Sequence, residues 1–187
     1  MQLTTGTVFD LMANRGTGLY GLSAVTQLEH ALQSAALAHQ RQLGDALVIA
    51  ALLHDVGHLV VGEDVNLAAE GIDDLHEEAA AKALVGIYGS GVAEPVRLHV
   101  AAKRYLCGAN PDYYGKLSQD SKDSLALQGG PMTAEEIAAF DRLEHRSAAL
   151  ALRIIDDEAK VAGLTTPPLE TYRAMAARLE AAHHARV

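Results

Sequence analysis

Residues 51–60 form an apolar run that two adjacent ionisable residues interrupt. The segment ALLHDVGHLV at 51–60 places His54 and Asp55 inside a run that otherwise belongs in a protein core. Burying such groups without partners costs several kcal/mol each, so something in the fold must satisfy them. A bound metal ion would do so. The pattern therefore predicts an interior helix at about 45–58 that carries part of a metal site.

The composition favours helices over sheets. Hydrophobic residues make up 49% of the 187 residues but aromatic residues only 4%, and there is no Trp. The apolar content is mainly Ala, Leu and Val, which favours helices. We expect residues 1–187 to form a single all-α domain, a bundle of about seven helices. The predicted segments are helices at about 4–13, 23–42, 45–58, 73–88 and 91–105, a poorly periodic stretch at 107–132, a capping box at 133–136, a long helix at 140–161 and a last helix after Pro167 and Pro168.

Charge and cysteine content exclude several classes of function. The formal net charge of −9 argues against a nucleic-acid partner, because phosphates require a basic surface. The single cysteine, Cys107, excludes an internal disulfide and any zinc site built on cysteine. No secretory segment and no apolar run of about 20 residues is present, so we expect no membrane association and a cytoplasmic location.

Further candidate metal ligands occur on other predicted helices. His30, His76 and His99 and one of the aspartates at 156 and 157 are each surrounded by helical sequence with apolar neighbours. Nitrogen and oxygen donors without sulfur suit Fe, Mn or Zn. Any one of these histidines could be an ordinary hydrogen-bonded residue; the ordered set, each member on a helix, is what points to metal. The remaining histidines are read as structural or solvated: His39, His145, His183 and His184.

This ordered set of histidines and aspartates resembles the HD-domain superfamily over nearly the whole chain. The resemblance implies a helical bundle around a metal centre. One metal would be bound by four residues, namely His30, His54, Asp55 and Asp156. His76 and His99 would complete a second metal site, with Asp55 bridging the two. Asp156 is preferred over Asp157 because the last aspartate of the family is followed four residues later by a lysine, here Lys160.

Several local sequences resemble one branch of that superfamily, the mixed-valent diiron oxygenases that cleave phosphonates. They are VTQLEHALQSA at 25–35 with Tyr20 ten residues before His30, HDVGH at 54–58, Lys103 four residues after His99, LSQDSKDSLALQGGPMT at 117–133, and Arg153 three residues before Asp156. The resemblance implies two iron ions in a mixed-valent Fe(II)/Fe(III) state, with O2 as co-substrate. It assigns catalytic roles to Tyr20, His58 and Lys103. The implied substrate contacts are Tyr20, Ser23, Gln27, His58, Lys103, Ser121, Ser124 and Arg153.

One departure from this branch bears on the substrate. Members that act on the primary amine are expected to carry a Glu three residues after the Tyr, and this chain has Ser23 there. A trimethylammonium group has no N–H donors and needs space and aromatic faces rather than a carboxylate. We therefore expect oxidative cleavage of the C–P bond of (R)-1-hydroxy-2-(trimethylammonio)ethylphosphonate to glycine betaine and phosphate, after an upstream α-hydroxylase. The tyrosines considered for the aromatic faces are Tyr20, Tyr105, Tyr113 and Tyr114.

Three alternatives stay open from the sequence. The same chemistry on (R)-1-hydroxy-2-aminoethylphosphonate would give glycine and phosphate. A dinuclear HD-domain phosphohydrolase would instead use metal-bound hydroxide on a phosphoester, which is the commoner activity in the superfamily. A metal-binding or signalling bundle without catalysis is the third, and the complete ligand set argues against it.

Overall fold

The computed structural model describes residues 3–20, 24–61 and 75–186, and within them the protein is all-α. The helices are α1 Thr5–Arg15, α2 Gln27–Gln40, α3 Asp45–Leu53, α4 Val56–Val61, α5 His76–Tyr88, α6 Ser90–Ala109, α7 Pro111–Lys116, α8 Gln119–Leu127, α9 Ala134–Phe140, α10 Arg146–Glu158 and α11 Glu170–His184. The described residues contain no β-strand, only one isolated bridge between Leu19 and Thr26. The predicted fold class is confirmed.

Helices α3 and α6 form the centre of the bundle. The α3 helix packs against α2, α6, α10 and α11, and α6 packs against α3, α5 and α10. Residues 47–53 of α3 are all buried, as the apolar sequence predicts for an interior helix. Five helices pack around this centre, and the polar side chains on their inner faces converge on one interior site. They are α2, α3, α5, α6 and α10.

Capping residues explain where several helices begin. Thr26 and Glu29 form a capping box at the start of α2, and Thr133 and Glu136 form another at the start of α9, where the sequence predicts it. The predicted starts of α2 and α5, at 23 and 73–74, lie outside the described residues. No helix in the described ranges combines the length and the hydropathy needed to cross a bilayer.

The prediction of an unbroken helix at 45–58 is wrong. The α3 helix ends at Leu53 and α4 begins at Val56, so His54 and Asp55 lie in the turn between them. His54 Nδ1 donates to the Ala51 carbonyl at 2.9 Å, and this carbonyl is the acceptor that the Asp55 amide would use in a continuing helix. The His54 ring thereby takes the place of a backbone donor in the helix.

Two other segments also differ from prediction. The stretch 107–132, which lacks a clear periodicity, contains α7 and α8, each capped by a side chain, from Asn110 and Ser118 respectively. The long helix predicted at 140–161 is shorter in the structure, because α9 ends at Phe140 and α10 spans only Arg146–Glu158. Eleven helices are therefore described instead of about seven.

Candidate metal centre

The six predicted metal ligands lie together in the interior of the bundle. His30 comes from α2, His54 and Asp55 from the α3–α4 turn, His76 from the first position of α5, His99 from α6 and Asp156 from α10. All but Asp55 are buried, and the Asp55 side chain is only 11% exposed. Two groups with ligand atoms within 4.8 Å of one another share Asp55: His30, His54 and Asp55, and Asp55, His76 and His99.

Asp55 lies between two pairs of histidines. Its Oδ2 atom lies 3.6 Å from His30 Nε2 and 3.3 Å from His54 Nε2. Its other oxygen, Oδ1, lies 3.4 Å from His76 Nε2 and 3.6 Å from His99 Nε2. Each carboxylate oxygen therefore faces one histidine pair, which is the arrangement that a carboxylate bridging two cations requires.

Asp156 joins only the first of these two groups. Its Oδ1 atom lies 3.3 Å from His30 Nε2 and 3.9 Å from His54 Nε2. Lys160 Nζ is 3.2 Å from the same oxygen, and Arg153 Nη1 is 2.7 Å from Oδ2. One group thus offers two imidazoles and two carboxylates, while the other offers two imidazoles and the shared Asp55.

Backbone carbonyls orient three of the four imidazoles. His30 Nδ1 donates to the Ala159 carbonyl at 2.8 Å, His54 Nδ1 to Ala51, and His99 Nδ1 to Val96 at 2.7 Å. A carbonyl can only accept, so each of these Nδ1 atoms carries a proton. The unshared pair of Nε2 in the neutral ring then points into the site, which is the usual way that outer hydrogen bonds prepare a histidine for metal.

The donor atoms in this site require added positive charge. His30 Nε2 and His54 Nε2 are 3.1 Å apart, and His76 Nε2 and His99 Nε2 are 3.2 Å apart. Two such nitrogens attract each other only through a shared proton or metal ion. Asp55 Oδ2 is also buried without a hydrogen-bond donor, whereas Asp156 Oδ1 has Lys160 Nζ at 3.2 Å. A nitrogen and oxygen donor set with these features fits iron, manganese or zinc.

The pKa values of the site residues also indicate that the site attracts positive charge. Burial would raise the pKa of Asp55, but His54 and His76 hold that pKa well below its usual range. Burial lowers the pKa of His54, yet Asp55 and Asp156 outweigh it and raise this pKa to about 10. The two carboxylates are therefore ionised at neutral pH, and protons compete with metal for the histidine nitrogens.

Two predicted catalytic side chains stack on ligand histidines. The Tyr20 ring lies 4.1 Å from the His30 ring at an interplanar angle of 20°, and the His58 ring lies 4.1 Å from the His76 ring at 19°. Burial, followed by the charges of Asp55 and Asp156, raises the pKa of Tyr20 well above its usual value, so the phenol stays protonated. Each half of the centre thus has one aromatic ring packed against one of its imidazoles.

The predicted phosphonate contacts form a polar wall beside the centre. Lys103 Nζ donates to Ser124 Oγ at 2.7 Å, and Arg153 Nη2 donates to Ser121 Oγ at 3.3 Å. Lys103 is only 3% exposed. Burial, followed by repulsion from Arg153, lowers the pKa of Lys103 to about 8.

The remaining substrate predictions have mixed positions. Ser23 lies outside the described residues. Gln27 is the first residue of α2, and its Oε1 is buried without a hydrogen-bond partner. The QGGPM segment at 128–132 packs on α6 away from the metal ligands. There the Met132 amide donates to the Arg104 carbonyl. Its position fixes the end of α8, which carries the two serines.

Sequence reasoning missed residues that support the site rather than line it. Gly57 is one, because a β-carbon there would lie 1.9 Å from the His76 carbonyl oxygen. Asp157 is another, since it ion-pairs with Arg153 and accepts from the Tyr113 hydroxyl. A glycine within an apolar segment is a signal for close backbone approach and could have identified Gly57. No local pattern indicates the role of Asp157.

Comparison with known proteins finds one matching family model and two similar enzymes. The family model of the HD domain matches residues 28–141. The chain is 46% identical over 168 residues to "hydroxymethylphosphonate dioxygenase" of Gimesia maris, covering 88% of this chain and 82% of that protein. It is 39% identical over 178 residues to the glycine-betaine-forming "[1-hydroxy-2-(trimethylamino)ethyl]phosphonate dioxygenase" of Leisingera caerulea, covering 95% of this chain and 89% of that protein.

Proposed function

Since this chain is an oxygenase of the HD-domain family, we propose that it uses O2 to break the carbon–phosphorus bond of an α-hydroxyphosphonate. The products are a carboxylic acid and phosphate. The reaction R–CH(OH)–PO3H2 + O2 → R–COOH + H3PO4 balances in atoms and transfers four electrons to O2. Both relatives named above act on hydroxyphosphonates according to their names.

A buried cation beside the metal centre carries this proposal. Lys103 lies on α6 one turn after His99, and its recorded partner is the neutral Ser124 hydroxyl. Among the described residues Lys103 forms no ion pair, since the nearby Asp156 pairs with Arg153 and Lys160. Placing an ammonium group in such a position is costly unless an anion binds there. A phosphonate dianion would supply the missing charge and accept hydrogen bonds from Lys103 and Ser124.

We assign the metals to the two halves of the centre. His30, His54, Asp55 and Asp156 would hold one iron ion, and Asp55, His76 and His99 the other. The bound irons, in a mixed-valent Fe(II)/Fe(III) state, would supply the redox chemistry that activates O2. The half with four protein ligands is proposed to be the one that would also bind the substrate, through the substrate hydroxyl and one phosphonate oxygen.

The protein residues then hold and orient the substrate. Lys103, Ser121, Ser124 and His58 are proposed to bind the phosphonate oxygens, and Tyr20 and Gln27 to contact the α-carbon side. Arg153 differs from Lys103 because Asp156 and Asp157 already balance its charge. Its proposed role is to hold Ser121 and Asp156 in place, in addition to any contact with substrate.

The trimethylammonio substrate is the first candidate for the group R. Two observations support it: Ser23 stands where a carboxylate would hold a primary ammonium, and the relative from Leisingera caerulea acts on the trimethylamino compound. The product would be glycine betaine, and a hydroxylase acting on the α-carbon would have to supply the substrate. The primary-amine analogue is the close alternative.

Hydroxymethylphosphonate, with hydrogen as R, is the second candidate. The tyrosines needed for a trimethylammonium site lie apart: Tyr105 packs on Phe140, and Tyr114 is largely exposed. The ammonium of Lys160 lies 5.4 Å from the centroid of the Tyr20 ring, where it would repel a second cation. These observations and the 46% identity to the hydroxymethylphosphonate enzyme support a small neutral substituent as the alternative to the trimethylammonio group.

A substrate comparison tests the function and the choice of R together. Iron-loaded protein is given each of the three hydroxyphosphonates with and without O2, and phosphate release and O2 consumption are measured. The proposal requires one phosphate per O2 and no release without O2. Anaerobic phosphate release from a phosphoester, supported by Mn or Mg, would instead identify a phosphohydrolase. The preferred hydroxyphosphonate by kcat/KM identifies R.

A further inference from the structure

A small cavity opens onto Asp55 from the side of α1. Its lining comes from α1, α2, the α3–α4 turn and their ends: Met12, Gly16, Gln27, Leu28, Ala31, Leu52, Asp55, Val56 and Leu59. About 20 Å³ of it is open to the centre of a water-sized molecule. Since about 10–15 Å³ suffices for one water, the cavity holds one small molecule and little more.

The lining of this cavity is mostly apolar. Among the described residues that line it, all but Gln27 and Asp55 are aliphatic, methionine or glycine. The charged wall proposed for the phosphonate, with Lys103 and Arg153, belongs to α6 and α10 and does not line it. A phosphonate dianion entering here would lose its hydration without compensation. The cavity therefore suits a small uncharged molecule that reaches the bridging carboxylate by a separate path.

We propose that this cavity admits and holds the dioxygen consumed by the enzyme. O2 has no charge and no strong hydrogen-bonding group, so apolar space inside a protein accommodates it at little cost compared with water. The inference rests on the proposed oxygen-dependent reaction. O2 would arrive at Asp55 from the α1 side while Lys103 and Ser124 hold the phosphonate on the other, so neither substrate blocks the other.

Tight packing fixes the size of this entrance. A β-carbon at Gly16 would lie 3.0 Å from Leu28 Cβ, so the end of α1 is pressed against the start of α2. The Leu28 amide also donates to the Gly16 carbonyl at 2.8 Å. Because these backbones cannot separate easily, the side chains at 12 and 28 determine how wide the path is.

Xenon tests the cavity independently of catalysis. Xenon binds dry apolar cavities, so crystals of the metal-loaded protein under xenon pressure should show it between Met12, Leu52 and Val56. Met12→Phe should abolish this density, and Leu28→Ala, at the half-buried edge, should increase it. An ordered water on Gln27 that fills the cavity and keeps xenon out overturns the proposal, whatever the enzyme turns over.

Oxygen kinetics give the second test. Met12→Phe should raise the KM for O2 several-fold and leave the KM for the phosphonate unchanged, and Leu28→Ala should lower the KM for O2. Met175→Phe is the matched control, because Met175 packs against the same core away from the cavity. An unchanged KM for O2 in folded, iron-loaded Met12→Phe contradicts the proposal. If the wild-type protein does not turn over any hydroxyphosphonate, the proposed function is wrong. The xenon experiment then still shows whether the cavity admits a small apolar molecule.

Discussion

Gly57 and His76 are in contact through their backbones, with no room for a side chain between them. A β-carbon on Gly57 would lie 1.9 Å from the His76 carbonyl oxygen and 3.0 Å from its Cα. Because α4 and α5 approach this closely, His76 at the first position of α5 comes within reach of Asp55. The second half of the centre therefore depends on a residue that has no functional group.

Gly57→Ala should weaken the half of the centre made by His76 and His99. The added methyl group must push the start of α5 away, so the iron content should fall towards one ion per chain. Gly86→Ala in α5 is the control, because nothing lies within 4 Å of its β-carbon and the change should stabilise the helix by about 0.5–1 kcal/mol. Metal analysis of both variants checks this, and full iron content in Gly57→Ala would contradict the prediction.

Asp55→Asn should release iron from both halves. The amide keeps one oxygen but cannot provide an anionic bridge between the two histidine pairs, and each half loses negative charge. Asp156→Asn should remove iron mainly from the His30 and His54 half, because Asp156 faces only these two histidines. Metal analysis and EPR distinguish the two results. Equal iron loss in the two variants would argue against Asp55 as the bridge.

Substrate binding should weaken above about pH 8. Lys103 has a folded-state pKa of about 8, below the usual 10.5, so its charge is complete only below that pH and disappears as the pH rises through it. The KM for the phosphonate should therefore rise between pH 7.5 and 9.5. Lys103→Arg should flatten this rise because a guanidinium stays charged. A wild-type KM that is constant over the range contradicts the prediction.

Arg153→Met should destabilise the protein strongly. Arg153 is buried and pairs with Asp156 and Asp157, so removing it leaves Asp157 without its cation and Asp156 with Lys160 alone, at a cost of about 3–5 kcal/mol. Urea unfolding of the metal-free protein measures this free energy. Arg178→Met, which breaks an exposed ion pair with Asp45, is the control and should change the stability little. Equal effects of the two substitutions would show that the Arg153 network contributes no special stability.

Much of the interior could be predicted from sequence because burial and helix periodicity are local signals. The apolar sequence of α3 identifies an interior helix, and the capping box at Thr133 identifies a helix start. The gathering of the six ligands was predicted through resemblance to a family, since no spacing in the sequence brings residues 30 and 156 together.

Some of the failed predictions involve local features without a strong sequence signal, and the others involve contacts between distant parts of the chain. The turn at His54 and Asp55 contains no glycine or proline. The hydrogen bond from the His54 ring to the Ala51 carbonyl accompanies this turn, and no sequence pattern predicts it. The helices α7 and α8 were hidden by polar sequence, although Asn110, Pro111 and Ser118 are ordinary helix-start residues. The partners of Arg153 and the scattered tyrosines are set by tertiary packing, which no local pattern encodes.

The hydrogen bond from His30 to the Ala159 carbonyl also constrains when the centre can form during synthesis. Gln33, one turn after His30, exchanges two hydrogen bonds with the backbone of Val161, so α2 is fastened to a segment about 130 residues later. A nascent chain that has not yet released α10 from the ribosome lacks Asp156 and the carbonyl that orients His30. A metal ion can therefore meet the complete donor set of His30, His54, Asp55 and Asp156 only after α10 has emerged, whereas the group of Asp55, His76 and His99 is available earlier.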